Sequence, residues 1–225
     1  MKAWLWVSVA LTVLAVGVSW AVWENRDEWL PEQVPTHWNA ANVADRHVPR
    51  DEMLTPLLLV PGMMVGMMAL AVALPWLSPV KFKIEPFRPT YDYIMMLVVA
   101  MFFYMHVVIT SAYMGLLTDV GQWIVGGILV LLGAMGNVMG KVKRNFYVGI
   151  RTPWTLASGL VWERTHRLGG WLMVAGSVAG LILLFAGVHP LASLGVLLVA
   201  AIAPVFYSLW LYKRLEKEGR LGEQQ

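Results

Sequence analysis

The residues best suited to binding or chemistry are concentrated in one segment, residues 136–170, which lies between two long apolar stretches. Arginine, tryptophan, asparagine and glycine are frequent there, and the polar side chains among them bind carboxylates, phosphates or backbone carbonyls. The candidate partner- or ligand-binding residues are Asn137, Asn145, Arg151, Thr152, Pro153, Trp154, Trp162, Glu163, His166 and Arg167. Two readings stay open: a buried structural network, or a surface that binds a ligand or partner.

The local pattern in this segment predicts a helix. Thr152 followed by Pro153 is typical of a helix start, with threonine as the N-cap and proline at the first helical position. The apolar spacing that follows favours a helix at the membrane interface, supported by an i,i+4 pair of Glu163 and Arg167. Arg151 precedes this helix, where the helix dipole disfavours a cation, so we expect it to contact a carboxylate, a phosphate or backbone carbonyls.

A second group of polar residues lies in the segment 24–52. Its candidate site residues are Pro35, His37, Trp38, Asn39 and Asp45. An imidazole, an amide and a carboxylate from this set could bind a divalent cation. Their spacing matches no established metal motif, and the alternative is a hydrogen-bonded loop packed on the outer membrane face. Both alternatives predict a folded cap.

A third candidate group lies within an apolar stretch. His106, Thr110 and Tyr113 share one helical face, which predicts a polar stripe that points into a helix bundle. An ionisable residue in a membrane helix suggests a functional site. A neutral histidine hydrogen-bonded to another helix is the alternative.

The sequence carries no enzyme signature. It lacks the His-Glu-x-x-His, Gly-x-Ser-x-Gly and phosphate-loop patterns, and it contains no cysteine. We therefore predict a protein that is not an enzyme and that needs no metal or cofactor. A metal enzyme that uses His37 with Asp45, or His166 with Glu163, is the weakest hypothesis.

The elements that must position these residues are membrane helices. Of the 225 residues, 58% are hydrophobic and only 14% are charged, whereas soluble domains carry about 25% charge. The apolar runs are long enough to cross a bilayer. We predict an all-α, polytopic membrane protein with six transmembrane helices, a folded external loop and an interfacial cytoplasmic helix. The predicted spans are 3–23, 53–77, 91–117, 122–140, 168–188 and 191–212.

The distribution of basic residues predicts the orientation. With both termini in the cytoplasm, fourteen of the 17 lysine and arginine residues fall in cytoplasmic segments, and only Arg26, Arg46 and Arg50 are external. Topology also accounts for the basic charge, so direct nucleic-acid binding is not expected. We predict an N-terminal region, 1–78, with the external loop 24–52, and a four-span region, 79–225, with the cytoplasmic motif loop 141–167.

The motif loop resembles the SdpI family of bacterial immunity membrane proteins. The resemblance rests on Gly136 and Asn137, the run from Asn145 to Leu156, Val161 and Trp162, the run from Thr165 to Arg167, and Gly169. The pattern of Pro35, His37, Trp38, Asn39 and Asp45 resembles an uncharacterised domain that commonly precedes the SdpI region. Together the two resemblances cover most of the chain.

This resemblance implies a multi-pass protein of the bacterial cytoplasmic membrane that protects its cell from a secreted antimicrobial peptide toxin. It further implies signal transduction, in which the cytoplasmic face captures a small repressor protein. The expected partners are therefore the lipid bilayer, the toxin and such a repressor. The seven acids and three bases of the external loop favour a cationic toxin. The alternative is a small transporter or a lipid- or peptide-handling protein that uses the polar stripe around His106.

Overall fold

The computed structural model describes residues 3–221 and confirms the all-α, six-span prediction. Six of its helices, α1, α3, α4, α5, α7 and α8, are long and apolar enough to cross a membrane. The elements in chain order are α1 (Ala3–Glu24), α2 (Arg26–Trp29), β1 (Gln33–Trp38), β2 (Ala44–Pro49), α3 (Leu54–Leu77), α4 (Arg88–Tyr113), α5 (Val120–Met139), α6 (Pro153–Ala157), α7 (Gly159–Phe185) and α8 (Pro190–Lys217).

The chain packs as two compact units. The first comprises Met1–Ala71 and Met95–Ile128, and the second comprises Val72–Ile94 and Leu129–Gln225. This division follows packing rather than chain order, because α3, α4 and α5 each contribute residues to both units. The boundary at residue 78 between the N-terminal region and the four-span region therefore stays a prediction.

In the first unit, α1 packs along one stripe of small and polar side chains. Its buried residues recur every three or four positions, which places them on one face of the helix. They are Trp4, Ser8, Thr12, Ala15, Ser19 and Val22. Small residues let helix backbones approach closely in lipid, where no hydrophobic force drives apolar faces together. Ala15 accordingly packs with Met64 of α3 and Val99 of α4, and all three side chains are fully buried.

The segment 24–52, named here the hairpin loop, is the folded cap that was predicted, and its core is a two-stranded antiparallel sheet. Strand β1 pairs with β2 from Gln33 opposite Pro49 to Trp38 opposite Ala44. Prolines are tolerated because each strand has a free edge that needs no backbone N–H. Val34 is fully buried in an apolar cluster that also contains Val22 of α1, Leu57 of α3 and Tyr113 of α4, so the sheet shares its core with these helices.

Asn42 attaches the hairpin loop to the turn between α4 and α5. It adopts a left-handed backbone conformation, with φ of 60°, which asparagine tolerates better than most residues. Its Nδ2 donates to the Thr118 carbonyl at 2.7 Å, and its Oδ1 accepts from the Gly121 N–H at 3.0 Å. One side chain thus closes the turn of the hairpin and anchors it.

In the second unit, glycines set the distance between helices. A Cβ at Gly170 of α7 would lie 2.6 Å from the carbonyl oxygen of Gly136 of α5. A Cβ at Gly176 would lie 2.7 Å from the Cβ of Ala200 of α8. Helix α7 therefore packs backbone against backbone on α5 and closely on α8, which only residues without a side chain permit.

The structure differs from the prediction at the start of the fifth span. Helix α7 begins at Gly159 rather than at residue 168, and the predicted interfacial helix is reduced to the five residues of α6. Ser158 causes the break because its backbone is extended and its side chain caps α7 by accepting from the Val161 N–H. The charged residues 163, 164 and 167 lie on exposed positions of α7, so the helix continues through them.

We expect Gly170→Ala to destabilise the second unit. The new Cβ would meet the backbone of α5, which cannot rotate away, and overpacking of this kind costs about 1–3 kcal/mol. The control is Gly195→Ala in α8, where a Cβ meets nothing within 4 Å and alanine favours the helix. Thermal unfolding of the purified variants in detergent checks this, and equal melting temperatures for the two would contradict it.

We expect Asn42→Gly to loosen the hairpin loop. Glycine keeps the left-handed backbone but removes both side-chain hydrogen bonds, each worth about 0.5–1.5 kcal/mol. Asn42→Ala should be worse, because a Cβ in this conformation adds roughly 1–2 kcal/mol. Amide hydrogen exchange of residues 33–49 is the measurement. Unchanged protection of the strands in the glycine variant would show that Asn42 is not the anchor.

Candidate functional site

The motif loop, residues 141–167, lies in the second unit and is organised from inside by Asn145. This side chain is fully buried and makes four hydrogen bonds. Its Nδ2 donates to the carbonyls of Lys143 and Val148, and its Oδ1 accepts from the N–H groups of Tyr147 and Val148. Asn145 therefore uses its full capacity within the loop and has none left for a ligand.

His166 connects the motif loop to α7. The Ile150 N–H donates to His166 Nε2 at 2.9 Å, and His166 Nδ1 lies 2.8 Å from the carbonyl oxygen of Trp162. A backbone N–H can only donate, so Nε2 must be the unprotonated nitrogen. The ring is therefore neutral, carries its proton on Nδ1 and donates that proton to Trp162. It is fully buried, and both of its nitrogens are occupied.

Gly149 lies against the Nε2 edge of this histidine, and Trp162 covers one face of its ring. Gly149 has φ of +111°, and His166 Nε2 occupies the space that a Cβ at Gly149 would need. The Trp162 ring stacks on the imidazole with centroids 3.9 Å apart and donates from Nε1 to the Val142 carbonyl at 2.7 Å. A side chain at position 149 would displace the histidine, so the glycine is required by close approach as well as by backbone conformation.

Thr152 begins α6, which confirms the predicted helix start. Its Oγ1 accepts from the Thr155 N–H, while Thr155 Oγ1 accepts from the Thr152 N–H, so the two form a reciprocal capping box. Thr152 Oγ1 also lies 3.1 Å from Ser208 Oγ of α8. Ser208 Oγ donates to the Val205 carbonyl at 2.6 Å, and Thr152 Oγ1 lies 3.3 Å from Thr155 Oγ1 as well. The helix cap is thereby attached to α8.

Charged side chains occupy the exposed rim of the motif loop. Arg151 is exposed and donates to the carbonyl of Phe146, a backbone partner of the kind expected but within the same loop. The predicted pair of Glu163 with Arg167 is absent among residues 3–221. Instead, Glu163 accepts from Lys143 at 3.2 Å. Pro153 is exposed and Trp154 is half-buried against Val161, Leu211 and Leu215.

Some residues of this site were not predicted from the sequence. Thr155 carried a usable signal, because a hydroxyl at the third helical position after a threonine N-cap suggests a capping box. Gly149 also carried one, since a glycine in a polar loop often marks a left-handed backbone. Val142 and Ser208 carried none, because their contacts join positions 20 and 56 residues apart.

The polar residues of the hairpin loop hydrogen-bond to one another. His37 Nδ1 donates to Asp45 Oδ1 at 2.5 Å, and this hydrogen bond is the main cause that lowers the pKa of the Asp45 carboxyl below its usual range. Asn39 Oδ1 accepts from the N–H groups of Ala41 and Val43. In the described chain, no three histidine or acidic residues are grouped to hold a metal.

The other two candidate residues of the hairpin loop, Pro35 and Trp38, pack within the first unit. Pro35 lies half-buried in β1. Trp38, also half-buried, stacks on Tyr113 with ring centroids 6.5 Å apart. The ring pair fixes the sheet on the end of α4.

The polar stripe of α4 points inward, since His106, Thr110 and Tyr113 are all buried. Ser19 Oγ donates to the Leu57 carbonyl at 2.7 Å and lies 3.3 Å from His106 Nε2. Its single proton is used on Leu57, so Ser19 accepts from His106. The histidine therefore braces α1, α3 and α4, which matches the hydrogen-bonded alternative.

Comparison with known proteins gives two family matches. Residues 141–208 match the SdpI/YfhL protein family, and residues 10–65 match DUF1648, a domain of unknown function. The first match begins at the motif loop and extends to Ser208, and the second contains the hairpin loop. Both resemblances stated for the sequence are thus confirmed.

A curated relative supports the same assignment. The chain is 33% identical over 91 residues to Immunity protein SdpI of Bacillus subtilis strain 168, which covers 40% of this chain and 43% of that protein. No solved structure gives a significant match. The two family matches and this partial similarity support the resemblance of these segments to SdpI-type proteins, and together with the six apolar helices they support a multi-pass protein of a bacterial membrane.

Proposed function

We propose that this protein protects its cell against a secreted antimicrobial peptide toxin. The observation that carries the proposal is the 33% identity to a protein named for immunity. The buried network of the motif loop supports it, because Asn145, Thr152 and His166 lie within the segment that matches the family. Their shared geometry is that of a rigid scaffold, and this scaffold presents charged residues on its exposed rim.

We propose the hairpin loop as the surface that meets the toxin. Three of its seven acids are paired, Asp51 with Arg26, Asp27 with Arg50 and Asp45 with His37. Four further glutamates are exposed and have no ion pair with any described residue. They are Glu24, Glu28, Glu32 and Glu52. Excess negative charge on a folded platform attracts a cationic peptide and speeds its association.

The rim of the motif loop is the proposed docking surface for a small cytoplasmic repressor. The inner residues are committed to hydrogen bonds, so a partner would contact the exposed side chains of Arg151, Pro153 and Arg164. Two guanidinium groups in this position suit a partner with surface carboxylates. This role assumes the predicted orientation, with the motif loop in the cytoplasm.

The alternative of transport or lipid handling through His106 has weaker support. The His106 ring is only 2% exposed and bonds to Ser19. These contacts describe a brace between helices, and the immunity proposal needs nothing further from this residue.

The immunity proposal is tested by complementation. We expect the chain to restore growth of Bacillus subtilis strain 168 lacking Immunity protein SdpI when the cells meet the toxin which that protein resists. Replacing all four exposed glutamates of the hairpin loop by glutamine should reduce protection by weakening attraction of the toxin. The control replaces Glu85, Glu216 and Glu218, three exposed glutamates outside both proposed surfaces, by glutamine. Membrane abundance is measured for each variant, and continued sensitivity despite normal abundance of the native chain would refute the proposal.

The scaffold assignment predicts different results for buried and exposed positions of the motif loop. His166→Phe leaves the Ile150 N–H without its acceptor, which should cost about 1–3 kcal/mol. Arg164→Gln, at an exposed position, should change stability by less than about 0.5 kcal/mol. Thermal unfolding in detergent measures both. If the His166→Phe variant unfolds at the same temperature as the native protein, the histidine is not part of the scaffold.

A further inference from the structure

Arg167 has no hydrogen bond or ion pair to any of residues 3–221, although an acid lies one helical turn before it. That acid, Glu163, accepts from Lys143 instead. The Arg167 side chain is exposed, so its guanidinium offers donors that nothing in the described chain uses. An arginine left free in this way is suited to an anionic ligand that lies outside the protein.

Arg167 lines a cleft of about 190 Å³ between the end of α5 and the first part of α7. Asn137 lines the same cleft and is also exposed, and its amide has no hydrogen-bond partner in the part of the chain that the structure describes. A guanidinium and an amide at one cleft can both donate to the oxygens of a phosphate. The polar side of the cleft therefore fits an anion.

The floor of the cleft is formed by glycine backbone. Gly136 and Gly170 pack in direct backbone contact. Gly140 has space above it, since a Cβ there would lie 3.8 Å from Arg167 Cα, an ordinary van der Waals contact. The cleft is open because Gly140 lacks a side chain, while the contact between the helices does not depend on this position.

The remaining wall is apolar. Trp171 lies one turn after Arg167 and is 71% exposed, and Val174 continues this wall along α7. Exposed tryptophans of membrane helices lie at the level of the lipid headgroups. One end of the cleft is thus cationic and polar, whereas the other end is apolar.

We propose that this cleft binds an anionic phospholipid of the surrounding membrane. Arg167 and Asn137 donate to the phosphodiester oxygens, and an acyl chain lies along Trp171 and Val174. Basic pockets between membrane helices are suited to anionic headgroups in this way. The exposed apolar wall favours a lipid over free phosphate, because a soluble anion has no group to place against it.

Lipid retention by the purified protein tests the proposal. The full chain is extracted in mild detergent, incubated with phosphatidylglycerol or with phosphatidylcholine, and analysed by native mass spectrometry. We expect retention of phosphatidylglycerol over phosphatidylcholine, and about tenfold weaker phosphatidylglycerol binding in Arg167→Gln, consistent with loss of one charge-assisted contact. The matched control is Arg164→Gln, which removes the same charge from an exposed position outside the cleft.

A variant with unchanged net charge tests the shape of the cleft separately from its charge. Gly140→Leu should fill the cleft and weaken phosphatidylglycerol binding without changing net charge. Circular dichroism and size-exclusion profiles like those of the native protein are required of each variant. Equal losses in Arg164→Gln and Arg167→Gln would overturn the proposal in favour of general surface charge. Displacement of the lipid by millimolar inorganic phosphate would overturn it in favour of a free anion.

This experiment is independent of the immunity proposal. It uses no toxin and reads lipid binding directly, so either proposal can fail while the other stands.

Discussion

A polar group inside the hydrocarbon of a membrane has no water to bind, and this constraint accounts for the polar contacts that join α1, α3 and α4. Ser19 donates to the Leu57 carbonyl and accepts from His106, so one hydroxyl satisfies groups from α3 and α4. Buried polar groups of the motif loop, at the start of α7, are satisfied in the same way. Asn145 closes a tight turn with four hydrogen bonds, and His166 provides an acceptor for the part-buried N–H of Ile150.

Glycine provides the second organising effect. In lipid, helices gain little from covering apolar side chains, because the lipid tails are equally apolar. Close backbone approach, as between Gly136 and Gly170, increases van der Waals contact instead. The same residue type serves a different purpose at Gly149, where it leaves room for an imidazole. Helix α7 can therefore contact α5 and α8 while its first turns support the motif loop.

The sequence predicted the number of membrane helices because the property that creates them, a long apolar run, is local. The prediction failed at the start of α7. Charged residues there suggested a segment at the membrane interface, but they occupy exposed positions of a helix that continues through them. Thr152 and Pro153 were sufficient to predict the start of α6. The partner of Glu163 was predicted wrongly, because helical spacing favoured Arg167 while the fold brings Lys143 closer. The link from Thr152 to Ser208 had no local signal at all.

The hydrogen bonds of the motif loop also affect how relatives of this protein should be compared. Asn145, Trp162 and His166 direct their polar atoms into the loop itself, and the Thr152 hydroxyl contacts Thr155 in the loop and Ser208 of α8. All four are buried, so an external partner does not reach these polar atoms. Two proteins can therefore share the spelling of this motif and still recognise different molecules. Differences in partner choice among such proteins should follow the outward-facing positions between the shared residues, so those positions are the informative ones for grouping them by biological role.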